Sequence, residues 1–278
     1  MAVELGDAAD DTFVLAATFS VPDRRPVPLT DPIDLAARLP APDRLALFLD
    51  VDGTLIGPTY ADRERGIAAE RIAFLGRLYD RLGGALAIVS GRSVETVDPM
   101  FKPLILPVAA LQGADRRFPD GRRFTPVQTP EERRALDDIA SAVADAYPTM
   151  DIQWKIGALA IVYNEDDPLA DGVAALAERH SGGHVSVIPG RLSIDVVPQG
   201  ANKGSGLAFL MEHTPFLGRV PVHVGDDVPD ESGFAAAHKL GGFGIGIGRK
   251  PGGVDFRLPD HEATWAMLAA YAARWPAA

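Results

Sequence analysis

Cysteine is absent from the 278 residues. That removes disulfide frameworks, thiolate catalysis and cysteine-bound zinc together. Basic residues are outnumbered, 27 Lys and Arg against 38 Asp and Glu, a net charge of −11. A general nucleic-acid binder needs a basic footprint, so that class is excluded. An anionic small substrate is not, because a local cation can reverse the field. No apolar run approaches the ~20 residues of a membrane helix. The acidic opening MAVELGDAADD lacks the basic segment that starts a signal peptide. What remains is 47% hydrophobic residues, enough for a sizeable core. At ~150 residues per domain the length suggests about two domains. The expectation is a cytoplasmic enzyme.

Prolines at 22, 26, 28, 32, 40 and 42 interrupt any long element, so residues 1–44 read as a poorly structured lead-in. Within it, Phe13 to Ala17 is an apolar stretch that could pack on the body. From Leu45 the rhythm changes. Leu45 to Leu49 is a continuous apolar run ended by Asp-x-Asp-Gly, the pattern of a buried parallel strand opening into a turn. Ile72, Leu75, Leu78 and Tyr79 predict a helix over 68–82, and Ala85 to Val89 a second buried strand ending at Ser90-Gly91-Arg92. Strand, helix, strand implies an α/β, Rossmann-like, doubly wound parallel sheet.

The middle differs. Pro119-Asp120-Gly121 predicts a hairpin within 116–124, and Thr129-Pro130-Glu131-Glu132 opens a helix with a cap and early acids. Strands over 158–163, 185–188 and 192–197 and a helix over 169–180 follow, and together these suggest a small α+β unit inserted over 113–197. The larger unit then comprises 45–112 and 198–278, with a helix over 204–211, a strand over 220–224 and a helix over 231–240.

Asp50 and Asp52 lie at the carboxyl end of the first strand, the edge where open α/β sheets place ligands. The second strand delivers Ser90 there, and the third Gly225-Asp226-Asp227, followed by Asp230 and Glu231. So many carboxylates in one place repel one another unless a cation neutralises them. An all-oxygen donor set selects a hard ion, and Mg2+ is the natural candidate, held by Asp50, Asp52, Asp226 and Asp227. Lys203 adds a fixed positive charge. These parts make a cradle for phosphate. Asp50 fits a nucleophile that forms an aspartyl phosphate, and Asp52 the acid and base of its formation and breakdown. Ser90, the Gly91 amide and Lys203 then bind the phosphoryl group, with Asp230 in support. Glu231 reads equally as a supporting acid or as a carboxylate at a helix start.

Asp50-Val51-Asp52-Gly53-Thr54-Leu55, Ser90-Gly91-Arg92, Lys203 and the segment from Gly225 to Glu231 resemble, in order, the motifs of the haloacid dehalogenase-like phosphohydrolases. Gly113 to Arg117, Gly200 to Gly204, Pro215 to Arg219 and Gly225 to Phe234 are most similar to the trehalose-6-phosphate phosphatases within that superfamily. The resemblance spans roughly 45–268. It implies a Mg2+-dependent phosphatase whose inserted unit is a cap that selects the sugar, with trehalose 6-phosphate as substrate. It also implies substrate contacts from Gln112, Asp115, Arg117, Lys155, Asp195 and Asn202. The chain departs from the family at Gln112, Val162, Asn164, Asp195 and Val197, so a related glycosyl or cyclitol phosphate is an alternative substrate.

Other classes stay open at this point. A phospho-acceptor signalling domain uses similar parts but is about half this length, lacks a cap and orders its acids differently. A non-catalytic sugar-phosphate binder and a phosphomutase are further readings. Partners beyond a small sugar phosphate are not expected, neither nucleic acid nor membrane, and a monomer is compatible with these features. Gly244-Ile245-Gly246-Ile247-Gly248 opens no helix, so it reads as a strand and loop, not a dinucleotide fingerprint. His223, inside an apolar strand, reads as a satisfied core histidine.

Overall fold

The computed structural model describes residues 27–164 and 167–275. The stretch from Phe13 to Ala17 lies outside the described residues. Eight strands form the larger sheet: β1 (Leu45–Leu49), β2 (Leu86–Val89), β3 (Val108–Ala110), β4 (Asp115–Arg117), β5 (Arg123–Phe124), β10 (Val220–Gly225), β11 (Phe243–Ile247) and β12 (Phe256–Leu258). Four form a smaller one: β6 (Asp151–Lys155), β7 (Ala158–Val162), β8 (Val185–Pro189) and β9 (Ser193–Pro198). The helices are α1 (Pro32–Arg38), α2 (Tyr60–Arg65), α3 (Ala69–Arg81), α4 (Val94–Phe101), α5 (Pro130–Ala146), α6 (Ala170–His180), α7 (Lys203–Met211), α8 (Asp230–Lys239) and α9 (His261–Ala273). Among the described residues none of them is long and apolar enough to cross a membrane.

The larger sheet runs β12-β11-β10-β1-β2-β3-β4-β5. Its first six strands pair in parallel and the last two antiparallel. β1 shows why such a strand must be central. Leu45, Leu47 and Leu49 join the apolar layer that holds α3 and α9, while Ala46 and Phe48 join the one that holds α7 and α8. With both faces covered, no polar residue is tolerated until Asp50, where the strand ends. β1 lies between β10 and β2, so Asp50, Ser90 and Asp226 emerge side by side at one edge.

Two expectations are corrected here. Residues 27–44 belong to the body. Asp31 caps α1 by accepting from Ile33 N at 2.8 Å and Asp34 N at 3.2 Å, and Pro32 fills the first turn, where a missing N–H costs nothing. Leu35 and Ala36 are fully buried in the layer that α9 shares, and Tyr271 donates to the Pro40 carbonyl at 2.9 Å. The hairpin over 116–124, expected in the inserted unit, instead forms β4 and β5 and extends the larger sheet from β3.

The smaller sheet is an antiparallel layer in the order β6-β7-β9-β8. Period two sorts its residues. Leu159, Ile161, Ile194 and Val196 face α5 and α6, burying against Leu136, Ile139, Val143 and Val173. Ala160, Val162, Ser193 and Asp195 alternate with them and line a cavity on the other side. The helix-start reading at Thr129 holds in full, since Thr129 and Glu132 cap each other reciprocally at the start of α5.

Candidate active site

A cavity of roughly 190 Å³ lies between the carboxyl edge of the larger sheet and that open face of the smaller one. Asp50, Asp52, Ser90, Gly91, Lys203, Asp226 and Asp227 line it from below, and Gln153, Lys155, Arg191 and Asp195 from above. Asp50, at the end of β1, is buried, and its Oδ1 lies 2.9 Å from Lys203 Nζ. Lys203 opens α7, and its ammonium also donates to Asp230 Oδ1 at 2.7 Å. Asp230 opens α8 and accepts from the Asp227 amide at 3.2 Å. Gly53 has φ +78°, and a Cβ there would stand 2.0 Å from Asp226 Oδ2, so the turn after β1 has room for glycine alone.

Asp50, Asp226 and Asp230 each offer an oxygen within 4.8 Å of the others. Burial pushes the Asp50 carboxyl well above its usual range, and the charges of Asp230, Asp226 and Asp52 add to that against Lys203. Burial and then Asp230 push Asp226 up likewise, against Arg191 and Lys203. Asp230 is buried too, but Lys203 and His223 bring it below the usual range. Lys203, despite burial, is held protonated by Asp230 and Asp50. Two acids resisting ionisation beside an all-oxygen donor set suit a hard divalent cation.

Asp52 and Asp227, also expected as metal ligands, hold other partners here. The Asp52 carboxylate points away from that cluster. It takes Arg92 through two bonds, 2.7 and 2.8 Å, and Arg63 at 3.0 Å. Burial opposes its ionisation, but the paired guanidiniums hold its pKa below normal. Asp227 also turns aside, accepting from the Arg191 amide at 2.6 Å with Lys250 Nζ 3.4 Å away. Ser90 and Gly91 end β2 as expected, with Ser90 Oγ accepting from the Arg92 amide at 3.2 Å. Glu231 accepts from the Gly252 amide at 2.8 Å and braces that loop.

Of the six residues expected on the substrate side, Gln112, Lys155 and Asp195 line the cavity. Gln112 donates to Asp195 Oδ2 at 2.7 Å, and Lys155 donates to Asp195 Oδ1 at 3.2 Å and to the Gly91 carbonyl at 3.1 Å. These three knit the two sheets together beside Gly91. Asp115, Arg117 and Asn202 do not line the cavity. Asp115 is fully buried against Arg123, at 3.0 and 2.5 Å, while Arg117 donates to the Leu106 carbonyl at 2.8 Å and pairs with Asp98. Asn202 caps α7 through Ser205. All three serve the fold at the sheet edge or helix start. Sequence reasoning missed Arg191, which pairs with Asp226 at 2.9 Å from the tight turn between β8 and β9. It also missed Arg63 and the role of Arg92. Among the departures, Val162 lines the cavity, Val197 packs with Leu111, Ala114 and Ala158, and Asn164 is exposed.

The parallel sheet with acids converging at its carboxyl edge is the fold of the haloacid dehalogenase-like hydrolases. One such hydrolase from B. subtilis matches with a TM-score of 0.59 at 15% identity, over 81% of this chain and 98% of that one. The C-terminal domain of C. albicans trehalose-6-phosphate phosphatase matches at 0.75 and 18% identity, over 90% of this chain and all of that one. The sequence profile of the trehalose-phosphatase family matches residues 48–255, and the chain belongs to that family. It is 34% identical to a probable trehalose-phosphate phosphatase of Sinorhizobium fredii, over 83% of this chain and 88% of the relative. It is 32% identical to the trehalose-6-phosphate phosphatase of Escherichia coli, over 87% and 89%.

Proposed function

We propose that the protein is a phosphomonoesterase that hydrolyses trehalose 6-phosphate to trehalose and inorganic phosphate, with Asp50 as nucleophile. The observation that carries this is Asp50 at the cavity floor, 2.9 Å from a buried Lys203, within a family match that spans both sheets. An Asp50 oxygen attacks phosphorus while the bond to the sugar oxygen breaks, leaving an aspartyl phosphate and freeing the sugar. Lys203, Ser90 Oγ and the Gly91 amide bind the phosphoryl oxygens. Asp52 supplies the proton to the departing oxygen and later takes one from the water that cleaves the acyl phosphate. Arg92 and Arg63 keep Asp52 ionised before substrate arrives. When the substrate's phosphate draws these guanidiniums away, Asp52 takes up a proton from solvent, and that is the proton it passes to the departing oxygen.

Asp50 and Asp226 would hold Mg2+, which would offset the carboxylate charge and polarise a phosphoryl oxygen. Arg191, from the turn between β8 and β9, pairs with Asp226 at 2.9 Å. The unit from about 125 to 198 acts as the cap, with Lys155, Asp195 and Gln112 facing the sugar. The runner-up substrate, a related glycosyl or cyclitol phosphate, draws support from the apolar Val162 on the cavity wall.

Phosphate release over a panel of sugar and disaccharide phosphates tests the reading. Trehalose 6-phosphate should rank first by kcat/KM, and several better substrates would overturn the specificity. Asp50→Asn should lower turnover by at least ~10³-fold with the fold intact. Undiminished release would remove Asp50 from the chemistry.

A further inference from the structure

β10 alternates faces, so position 223 should carry an apolar side chain like its neighbours in the layer with α7 and α8. It carries histidine instead, fully buried. Burying an imidazole in an apolar layer is costly unless its polar atoms are used. Here one is. His223 Nε2 lies 2.9 Å from Asp230 Oδ1, while Nδ1 has no hydrogen-bond partner among the described residues. Asp230 as a carboxylate can only accept, so the ring is the Nε2–H tautomer. The fold makes space for it. A Cβ on Gly233 would stand 2.5 Å from His223 Cδ2, and the Phe234 ring lies 5.2 Å from the imidazole.

The bond continues toward the reacting group. Asp230 Oδ1 also takes Lys203 Nζ at 2.7 Å, and Lys203 Nζ reaches Asp50 Oδ1 at 2.9 Å. Asp230 Oδ2 takes the Asp227 amide at 3.2 Å. With both oxygens satisfied from within the chain, Asp230 serves as the counter-charge of Lys203, leaving the cation to Asp50 and Asp226. We propose that His223 is a positioning residue of this site: its Nε2–H fixes the Asp230 carboxylate so that Lys203 is held against Asp50. Without that donor Asp230 Oδ1 keeps more of its charge for Lys203 and draws the ammonium off Asp50. The inference rests on the reading of Asp50 as the reacting carboxylate and does not depend on which sugar is the substrate.

Two substitutions separate donor from shape. His223→Phe keeps a planar apolar filler and removes the donor. His223→Gln places an amide N–H where Nε2 stood. His223→Phe should lower kcat about tenfold on both trehalose 6-phosphate and p-nitrophenyl phosphate, with KM changed less than about twofold and the unfolding temperature not lowered. His223→Gln should stay within about threefold of the parent on both. Imidazole ¹⁵N NMR of the metal-free protein should show the Nε2–H tautomer, an observation that needs no turnover. Full activity of His223→Phe, an equal loss in His223→Gln, or an Nδ1–H tautomer would each overturn the proposal. An active Asp50→Asn variant would instead overturn the reading of the site itself.

Discussion

Asp50 and Asp226 are buried a few ångströms apart with one shared lysine, so each resists giving up its proton. Asp226 is pushed up to about 7 from an ordinary value of 3.8, and Asp50 moves the same way. In the unfolded chain both ionise near pH 4, whereas in the fold Asp226 holds its proton to about pH 7 and Asp50 is displaced in the same direction. The stability this contributes is therefore complete below about pH 4 and lost as pH rises toward 7. Asp230 and Asp52 are displaced downward, so their contribution is lost only as pH falls below that range. Hence the unfolding temperature of the metal-free protein should fall between pH 5 and 7.5. Mg2+ should raise it more at pH 7.5 than at pH 5. Thermal unfolding in chelator and in Mg2+ at the two values measures this, and a Mg2+ effect equal at both would show that the acids are not repelling one another. At this scale the carboxylates were legible from the sequence, because a second acid cluster and a lysine stand beside the first pair, and one pair alone reads as an ordinary turn. Their orientation was not. Whether Asp52 faces the cluster depends on Arg63 and Arg92, and neither stands at a spacing that marks it as a partner.

Among the elements, α1 shows how local chemistry can be misread. Proline suggested interruption, yet at Pro32 it follows the cap Asp31 and starts a helix. The Asp-Pro pair was the available signal. The burial of Leu35 could not be inferred, since it depends on α9 more than 220 residues later. If α1 belongs to the core, Leu35→Ala should cost about 2–5 kcal/mol in urea unfolding, the range for truncating a fully buried leucine. A cost below about 0.5 kcal/mol would mark α1 as a loosely attached segment. The β4–β5 hairpin was misplaced for a different reason. Turn chemistry identifies a hairpin but carries no information on which sheet edge it joins, and the three residues of β3 are too few to show a strand pattern. Arg191 escaped notice similarly. A lone arginine in a tight turn looks solvated until the fold sets that turn over Asp226 and Asp227.

At the scale of the whole molecule, the two sheets divide the work. The larger one brings together Asp50, Ser90, Lys203 and Asp226, and the smaller one covers them. Among the described residues polar contacts tie them at three places: Lys155 and Gln112 around Asp195 beside Gly91, Arg191 on the two aspartates, and Tyr60, whose hydroxyl donates to the Tyr163 carbonyl at 2.8 Å. Substrate entry must part some of these contacts, and a sugar that re-forms them draws the roof down and shuts out water. Lys155 is the clearest test, because it touches both the roof carboxylate and the backbone next to the phosphoryl site. Lys155→Met keeps the apolar stem and removes the charge. For trehalose 6-phosphate, KM should rise about tenfold, because a site built around buried polar groups loses affinity when one is removed. For p-nitrophenyl phosphate, which has no sugar to read, kcat/KM should change less than about twofold. If both substrates lose the same factor, Lys155 acts on the phosphoryl group and the roof is a lid without specificity. If only the sugar phosphate suffers, selectivity resides in the smaller sheet and chemistry in the larger. The acid site can then stay unchanged while the roof, where Asp195 and Val162 depart from the family pattern, sets the sugar that is accepted together with Gln112 beneath it.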